Sequence, residues 1–400
     1  MSDTLIFYEK NGAVIKAGFN EGKMISFGIE ESDNPYKIGN MYVGRVSKVI
    51  LHMKAAYVDI GMSTPCYMEM IDGFNYLTDK VHPDGELHVG DNILVQIHKE
   101  AIRKKPVTVT PEISLSNRFF FVKYTKSKGI SFSSKIKDGE FKKRKKADFM
   151  YLAPDNFNIL FRTNAYDAGD EELVNELQED LSLLQKVIED AKTRTAKTLM
   201  YQSLPDYIVE LRDSGKLECG KIITDSPDVF IRLKDYIERY QPELTDKLSF
   251  YSDKILSLDC LYDMRKNISD ITNERVWLKS GAHIVIEQTE AFVSVDVNSA
   301  KASAKKQNFK EGFMKINLEA AEEIFRQLEL RELSGIIIVD FINMKGADSE
   351  ILFRKLIEMS HAYRNITVVD ITKLGLVEIT RNRIRQPVKE LIKKYNLIDK

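Results

Sequence analysis

Asp296, Asn298 and Asp340 are the residues whose types and spacing suit metal-assisted chemistry best. Asp296 and Asn298 lie in the run Glu290-Ala291-Phe292-Val293-Ser294-Val295-Asp296-Val297-Asn298-Ser299. Asp340 closes the apolar part of a second run, Gly335-Ile336-Ile337-Ile338-Val339-Asp340. Both runs are β-branched and each delivers an acid near its C-terminal end. On a strand Asn298 shares the face of Asp296, two residues away. Two carboxylates and a carboxamide at neighbouring strand ends form a hard-oxygen Mg²⁺ site with positions left for water and phosphate. Two other readings stay open from spacing alone. An Asp at a strand end also serves as a turn former or helix cap, and Asp370 has the same setting. A carboxylate pair also suits a glycosidase.

The intervening chain must bring these residues together. Asn317 to Leu333 has helical spacing, and Gly335 would stop it. The order is strand, basic loop, helix, strand. A right-handed crossover then sets the two strands in one sheet, with Asp296 beside Asp340. The loop from Ala300 to Lys310 carries Lys301, Lys305, Lys306 and Lys310, cations suited to a phosphodiester. Further strands are expected at His283–Glu287 and Ile366–Ile371. Helices are expected at 317–333, about 349–363 and about 376–395. The last would present Arg381, Arg383, Arg385 and Lys389. No Gly-rich phosphate loop, nucleophile elbow or HExxH occurs.

Upstream, Leu5–Tyr8, Asn11-Gly12 and Val14–Phe19 read as a hairpin, with Met24–Ile29 as a third strand. Short strands between residues 36 and 117 suggest a small barrel. Tyr57 and Tyr67 on it would stack unpaired bases or pack the barrel. Arg103-Lys104-Lys105 would meet phosphate or remain a solvated loop. From Lys123 to Lys146 there are ten Lys or Arg against Asp138 and Glu140, a local balance of +8. Such a run is usually a solvated, mobile loop, yet its segregation favours a polyanionic partner. A strand Asn158–Phe161 leads into Arg162-Thr163, a guanidinium and hydroxyl suited to an anion. Asp170 to Lys192 reads as an amphipathic helix.

Length and composition bound the rest. The 400 residues suggest two to four domains, and 43% hydrophobic with 30% charged residues suits a soluble globular protein. The net charge of −1 names no partner, so any nucleic-acid surface is local. Cys66, Cys219 and Cys260 lack CxxC spacing, so neither a disulfide framework nor a zinc site is expected. Cys219, Cys260 and Trp277 read as core residues. The N-terminus lacks signal-peptide character, and no apolar run suggests a membrane span. A cytoplasmic location follows as the simplest expectation.

The motifs Thr289-Glu290-Ala291, Val295-Asp296-Val297-Asn298-Ser299-Ala300, Asn317-Leu318-Glu319-Ala320-Ala321-Glu322-Glu323-Ile324, Arg326-Gln327-Leu328, Leu330-Arg331 and Gly335 through Ile342 resemble the RNase E/RNase G family of bacterial endoribonucleases. The resemblance runs the length of the chain, weaker before residue 275. It implies an α+β multidomain fold: an RNase H-like subdomain (1–35 and 205–275), an inserted OB-fold RNA-binding barrel (36–117), a 5′-sensor region (118–204) and a DNase I-like α/β catalytic domain (276–400). Asp296 and Asp340 resemble its Mg²⁺ ligands and Asn298 its supporting carboxamide. Tyr57, Tyr67 and Lys105 resemble its RNA contacts. Arg162 and Thr163 resemble its 5′-monophosphate pair.

The implied activity is Mg²⁺-dependent hydrolysis of single-stranded, A/U-rich RNA, with Mn²⁺ as an alternative ion. Products would carry 5′-phosphate and 3′-hydroxyl ends, with 5′-monophosphate stimulation and roles in mRNA decay and rRNA or tRNA processing. The rival expectation is a non-catalytic single-stranded RNA-binding protein. Three positions depart from the family. Its zinc-binding CPxC motif is missing, so a homo-oligomer would not be zinc-linked. Asn343 stands where a second Asp is usual. Phe132 stands about where a sensor Arg is expected. Without a long C-terminal tail, the compact RNase G-like form is the better match.

Overall fold

The computed structural model describes residues 3–32, 34–101, 105–213, 220–299, 309–342, 347–363, 365–382 and 385–398. Arg103, Lys104, Cys219, Lys301, Lys305, Lys306, Asn343 and Arg383 lie outside them, as does the side chain of Lys310. The chain divides into two units, one of residues 1–32 and 218–400, the other of residues 33–217.

The first unit holds two sheets. In a five-stranded sheet, Thr4–Lys10, Ala13–Asn20 and Lys23–Glu31 form an antiparallel meander. Thr4–Lys10 also pairs in parallel with Lys221–Thr224, which pairs with Leu248–Phe250. The Asn11-Gly12 turn has φ of 53° and 80°, the left-handed conformation that a two-residue hairpin with primed geometry requires. The second sheet has the order Arg275–Trp277, His283–Gln288, Phe292–Asn298, Gly335–Asp340, Val377–Arg381, Ile366–Ile371.

Strict alternation explains this second sheet. Val293, Val295, Val297, Ile337 and Val339 point into a core shared with Ala320, Ala321, Ile324, Phe325 and Leu328 of the helix Phe309–Leu330. Each buried Val, Ile, Leu or Phe side chain among these contributes about 1.5–3 kcal/mol. The intervening residues, Asp296 and Asp340 among them, point to the opposite face. The helix also ties the two sheets of this unit together. Glu323 accepts from Lys23 at 3.1 Å and from Arg326, whose Nη1 donates to the Met24 carbonyl at 2.7 Å. These contacts give Glu323 and Arg326 a structural role.

Three expectations in this unit are corrected. The helix over 376–395 is instead a strand, Val377–Arg381, and a short helix, Val388–Lys394. Val377, Ile379 and Arg381 alternate inward, and Pro387 starts a new element. Arg381 is therefore buried, donating to Glu332 at 2.8 Å and the Leu333 carbonyl at 3.0 Å. Trp277 lies on an edge strand and is 63% exposed, so it is no core residue. Cys260 is exposed as well, in the short helix Leu258–Leu261.

The second unit contains a closed five-stranded barrel and a four-stranded sheet. Met41–Ile50, Ala55–Asp59, Cys66–Glu69, Thr108–Thr110 and Asn92–Lys99 pair in sequence, and Asn92–Lys99 pairs back onto Met41–Ile50. Cys66 is buried inside this barrel. The second sheet has the order Gly129–Phe132, Phe157–Phe161, Phe120–Tyr124, Ser114–Ser116. The helix Asp170–Ala191 covers it with Leu173, Leu177, Leu181 and Leu184.

The tract Lys142–Lys146 is also corrected. It is not a loop but the middle of a helix, Gly139–Phe149. Asp138 caps that helix, accepting from the backbone N–H groups of Glu140 and Phe141 at 2.9 and 3.1 Å. Phe141 and Phe149 supply its buried face, with Lys145 buried between them.

Candidate active site and RNA-contact residues

In the Phe292–Asn298 and Gly335–Asp340 strands, pairing is parallel and in register from Phe292↔Ile336 to Asp296↔Asp340. The two acids are therefore direct neighbours on one face, about 4.7–4.9 Å apart in backbone spacing. Both are exposed, and among the described residues neither has a salt-bridge partner. Asn298 Nδ2 donates to Asp296 Oδ2 at 2.7 Å, which fixes that carboxylate. Two adjacent anions repel each other, and a divalent cation relieves that repulsion. Their all-oxygen donor set fits Mg²⁺, which uses one or two carboxylates and keeps water and phosphate as its other ligands. Among the described residues no cluster of three or more His, Cys, Asp or Glu forms, so the pair stands by itself as the candidate.

Two supports were not singled out as functional by sequence. Asn317 is fully buried in the helix that crosses between the two strands. Its Nδ2 donates to the Ile342 carbonyl at 2.9 Å, and its Oδ1 accepts from the Ile342 N–H at 3.0 Å. This clamp pins the backbone just beyond Asp340. His283 is the cross-strand partner of Asn298, and its ring lies 5.0 Å from that of Trp277. Asn317 opens a recognisable motif, but its partner Ile342 is visible only once the fold is known.

On the barrel, Tyr57 and Tyr67 are register partners across the Ala55–Asp59 and Cys66–Glu69 strands. Their neighbours Ala56, Val58, Cys66 and Met68 fill the barrel, so both tyrosines face outward, half-buried. Their rings meet edge to face at 6.1 Å. Lys105 is exposed, three residues before Thr108, which pairs with Tyr67.

Arg162 follows the Phe157–Phe161 strand, and Thr163 begins a short 3-10 turn, Thr163–Tyr166. Arg162 Nη1 donates to the Asn117 carbonyl at 2.6 Å and Nη2 to Asp213 Oδ1 at 2.7 Å. Asp213 also accepts from Arg212 Nε at 2.9 Å. Burial pushes the Asp213 carboxyl up, but the Arg212 and Arg162 guanidiniums outweigh it and hold it below the usual range. The Ser133 and Thr163 hydroxyls lie 3.3 Å apart. Ser133 was not picked out by sequence, because only the parallel pairing of Gly129–Phe132 with Phe157–Phe161 brings it there. Phe132 stacks on Phe161 at 5.0 Å and packs against the core, so no cation replaces the expected Arg at that position.

Residues 114–384 match the profile of the Ribonuclease E/G family. This chain belongs to that family. It is 32% identical over 369 residues to Ribonuclease G of Haemophilus influenzae, covering 89% of this chain and 74% of the relative. Ribonuclease G of Escherichia coli strain K12 is 30% identical over 367 residues, with the same coverage of each chain. Ribonuclease E of Haemophilus influenzae is 27% identical over 373 residues, covering 90% of this chain and 40% of that longer protein. The family match spans the acid pair, the Asn317 clamp and the Arg162–Thr163 turn; the barrel lies before it. No helix among the described residues is long and apolar enough to cross a membrane.

Proposed function

We propose that this chain is an endoribonuclease that hydrolyses single-stranded RNA with Mg²⁺, or Mn²⁺ in its place, held by Asp296 and Asp340. The observation that carries the reading is the register pairing of these two exposed carboxylates, one oriented by Asn298. Family membership and relatives named Ribonuclease G supply the reaction class. When bound, the ion would supply Lewis-acid stabilisation of charge on the scissile phosphate and activation of water. Asp296 and Asp340 hold it; Asn298 fixes the first carboxylate; Asn317 keeps the second strand end in place. Tyr57 and Tyr67 stack unpaired bases and Lys105 meets phosphate, which favours single strands over a duplex.

Arg162 and Thr163, joined by the Ser133 hydroxyl, suit a 5′-monophosphate. Asp213 already occupies one edge of the Arg162 guanidinium, so an incoming phosphate must share or displace that contact. The accompanying proposals are A/U-rich substrates, 5′-phosphate and 3′-hydroxyl products, action in mRNA decay and rRNA or tRNA processing, and a cytoplasmic site. The RNase H-like, OB-fold, 5′-sensor and DNase I-like assignments belong to this proposal, as does a homo-oligomer not linked by zinc. Incubation of the chain with an end-labelled unstructured RNA, with Mg²⁺ and with chelator, tests the reading. Cleavage with Mg²⁺ alone is expected. RNA bound but uncut under both conditions would instead assign a non-catalytic RNA-binding role.

A further inference from the structure

The helix Gly139–Phe149 carries the densest charge in the chain, and its orientation is set by its inner face. Lys145 is drawn inward by an ion pair with Asp170 and lies 5.6 Å from the ring centroids of both Phe141 and Phe149. With those three residues inside, Lys143, Arg144 and Lys146 are exposed and Lys142 half-buried. Lys135 and Lys137, just ahead of the cap, are exposed too. Among the described residues none of these six makes a salt bridge. Some other surface lysines of the same unit are paired, as Lys123 with Glu112 at 2.6 Å and Lys197 with Asp59 at 2.8 Å. Like charges one turn apart, such as Lys142 and Lys146, oppose the helix, and a polyanion along the face removes that cost.

The helix is joined to the Arg162–Thr163 turn. The Tyr166 hydroxyl donates to Asp138 Oδ2 at 3.1 Å, and its ring lies 4.9 Å from that of Phe141. Lys135 N–H donates to Ser133 Oγ, the hydroxyl beside Thr163. Exposed tyrosines flank the basic face: Tyr166, 45% exposed, by its first turn and Tyr151, 75% exposed, just past its last. Exposed cations with exposed aromatic rings near both ends of the helix match the chemistry of single-stranded nucleic acid. A lipid surface fits less well, because the helix spends its aromatic residues on the core and offers no apolar face outward.

We propose that the outward face of Gly139–Phe149, with Lys135 and Lys137, is a docking track for the phosphodiester backbone of single-stranded RNA, continuous with the Arg162–Thr163 turn. This extends the ribonuclease reading by one contact surface, but rests on binding alone. The test uses the full chain with four substitutions, Lys142→Ala, Lys143→Ala, Arg144→Ala and Lys146→Ala. Affinity for an unstructured RNA is measured by fluorescence anisotropy in chelator over a range of KCl concentrations.

The plot of log affinity against log salt should become shallower by about 2–3, since each phosphate neutralised on a single strand contributes about 0.7. The loss should be equal for 5′-monophosphate and 5′-hydroxyl RNA, which separates it from any failure at Arg162. A variant with Lys142→Arg, Lys143→Arg and Lys146→Arg should keep the wild-type slope. Tyr151→Ala should weaken binding with the slope unchanged. Circular dichroism checks the fold, and Lys143→Glu with Lys146→Glu serves if the fourfold variant does not fold. An unchanged slope and affinity overturns the proposal. So does loss of binding to anionic phospholipid vesicles, or to an acidic polypeptide, with RNA binding intact. Loss of the salt slope in a chain that cuts no RNA would sustain the track while removing the ribonuclease reading.

Discussion

Asp296 and Asp340 are direct partners across a parallel strand pair, and the side chain of Asn298 reaches only the first of them. The second carboxylate depends instead on where its strand ends, and Asn317 fixes that end through both polar atoms of its amide. Orientation of the pair is thus divided between a carboxamide on the strand and one inside the crossing helix.

Asn317→Ala should therefore act on both stability and catalysis. It strands a partly buried backbone donor and acceptor at Ile342, at a cost of about 1–3 kcal/mol. Chemical denaturation should show that loss, and single-turnover cleavage should slow while RNA affinity holds. An Asn317→Asp variant loses the donor and sets a buried carboxylate against the Ile342 carbonyl, so at neutral pH it should be at least as destabilised as the alanine variant.

The alternation of Val293, Val295 and Val297 around Asp296 was legible in the sequence, and with the crossover it placed both acids in one sheet. Other features were hidden for physical reasons. The Gly139–Phe149 helix puts a lysine at the centre of its buried face, so charge masks its amphipathic pattern. The Val377–Arg381 strand does the same by burying an arginine. Asp213 lies 51 residues from Arg162 in the chain, and only tertiary structure joins them. Trp277 reads as core by type, yet an edge strand leaves it open.

The Arg162 turn predicts a specific kinetic signature. Arg162→Ala should narrow the rate difference between 5′-monophosphorylated and 5′-hydroxyl substrates towards unity. Asp213→Asn removes the competing charge but leaves Arg162, and should widen that difference. A wild type that cuts both substrates equally would remove the sensing role from this turn.

The paired tyrosines predict a loss of affinity without a matching loss of fold. Tyr57→Ala or Tyr67→Ala should weaken single-stranded RNA binding by about 1–3 kcal/mol per stacked base. Phe at either position should restore it, because the ring alone stacks. Duplex affinity should change little. Equal losses of melting temperature and affinity in the alanine variants would make the rings packing residues only.

One acid in the helix Asp170–Ala191 sets a pH dependence of stability. Burial pushes the Asp180 carboxyl up to about 7, Glu176 adds to the shift, and Arg212 opposes it. Its Oδ2 is enclosed without a hydrogen-bond partner. A raised folded-state pKa means that the folded chain holds the proton longer than the unfolded one. Stability from this group is therefore complete at about pH 4 and falls as pH rises towards 7 and beyond. Asp180→Asn should be more stable than wild type at pH 8, by on the order of 2–4 kcal/mol, and equal to it near pH 4. Urea denaturation at the two pH values reads the difference; an advantage independent of pH would contradict it.

The proposed endoribonuclease needs Asp340 in the reacting site and not merely at a strand end. The most direct measurement is cleavage and binding of one labelled single-stranded RNA by wild type and Asp340→Asn, at saturating Mg²⁺. Asn keeps the shape and removes the charge. Cleavage should fall by at least about a thousandfold, the size expected when several kcal/mol of charge stabilisation are lost, while affinity stays within a few-fold. Cleavage at the wild-type rate would contradict the account.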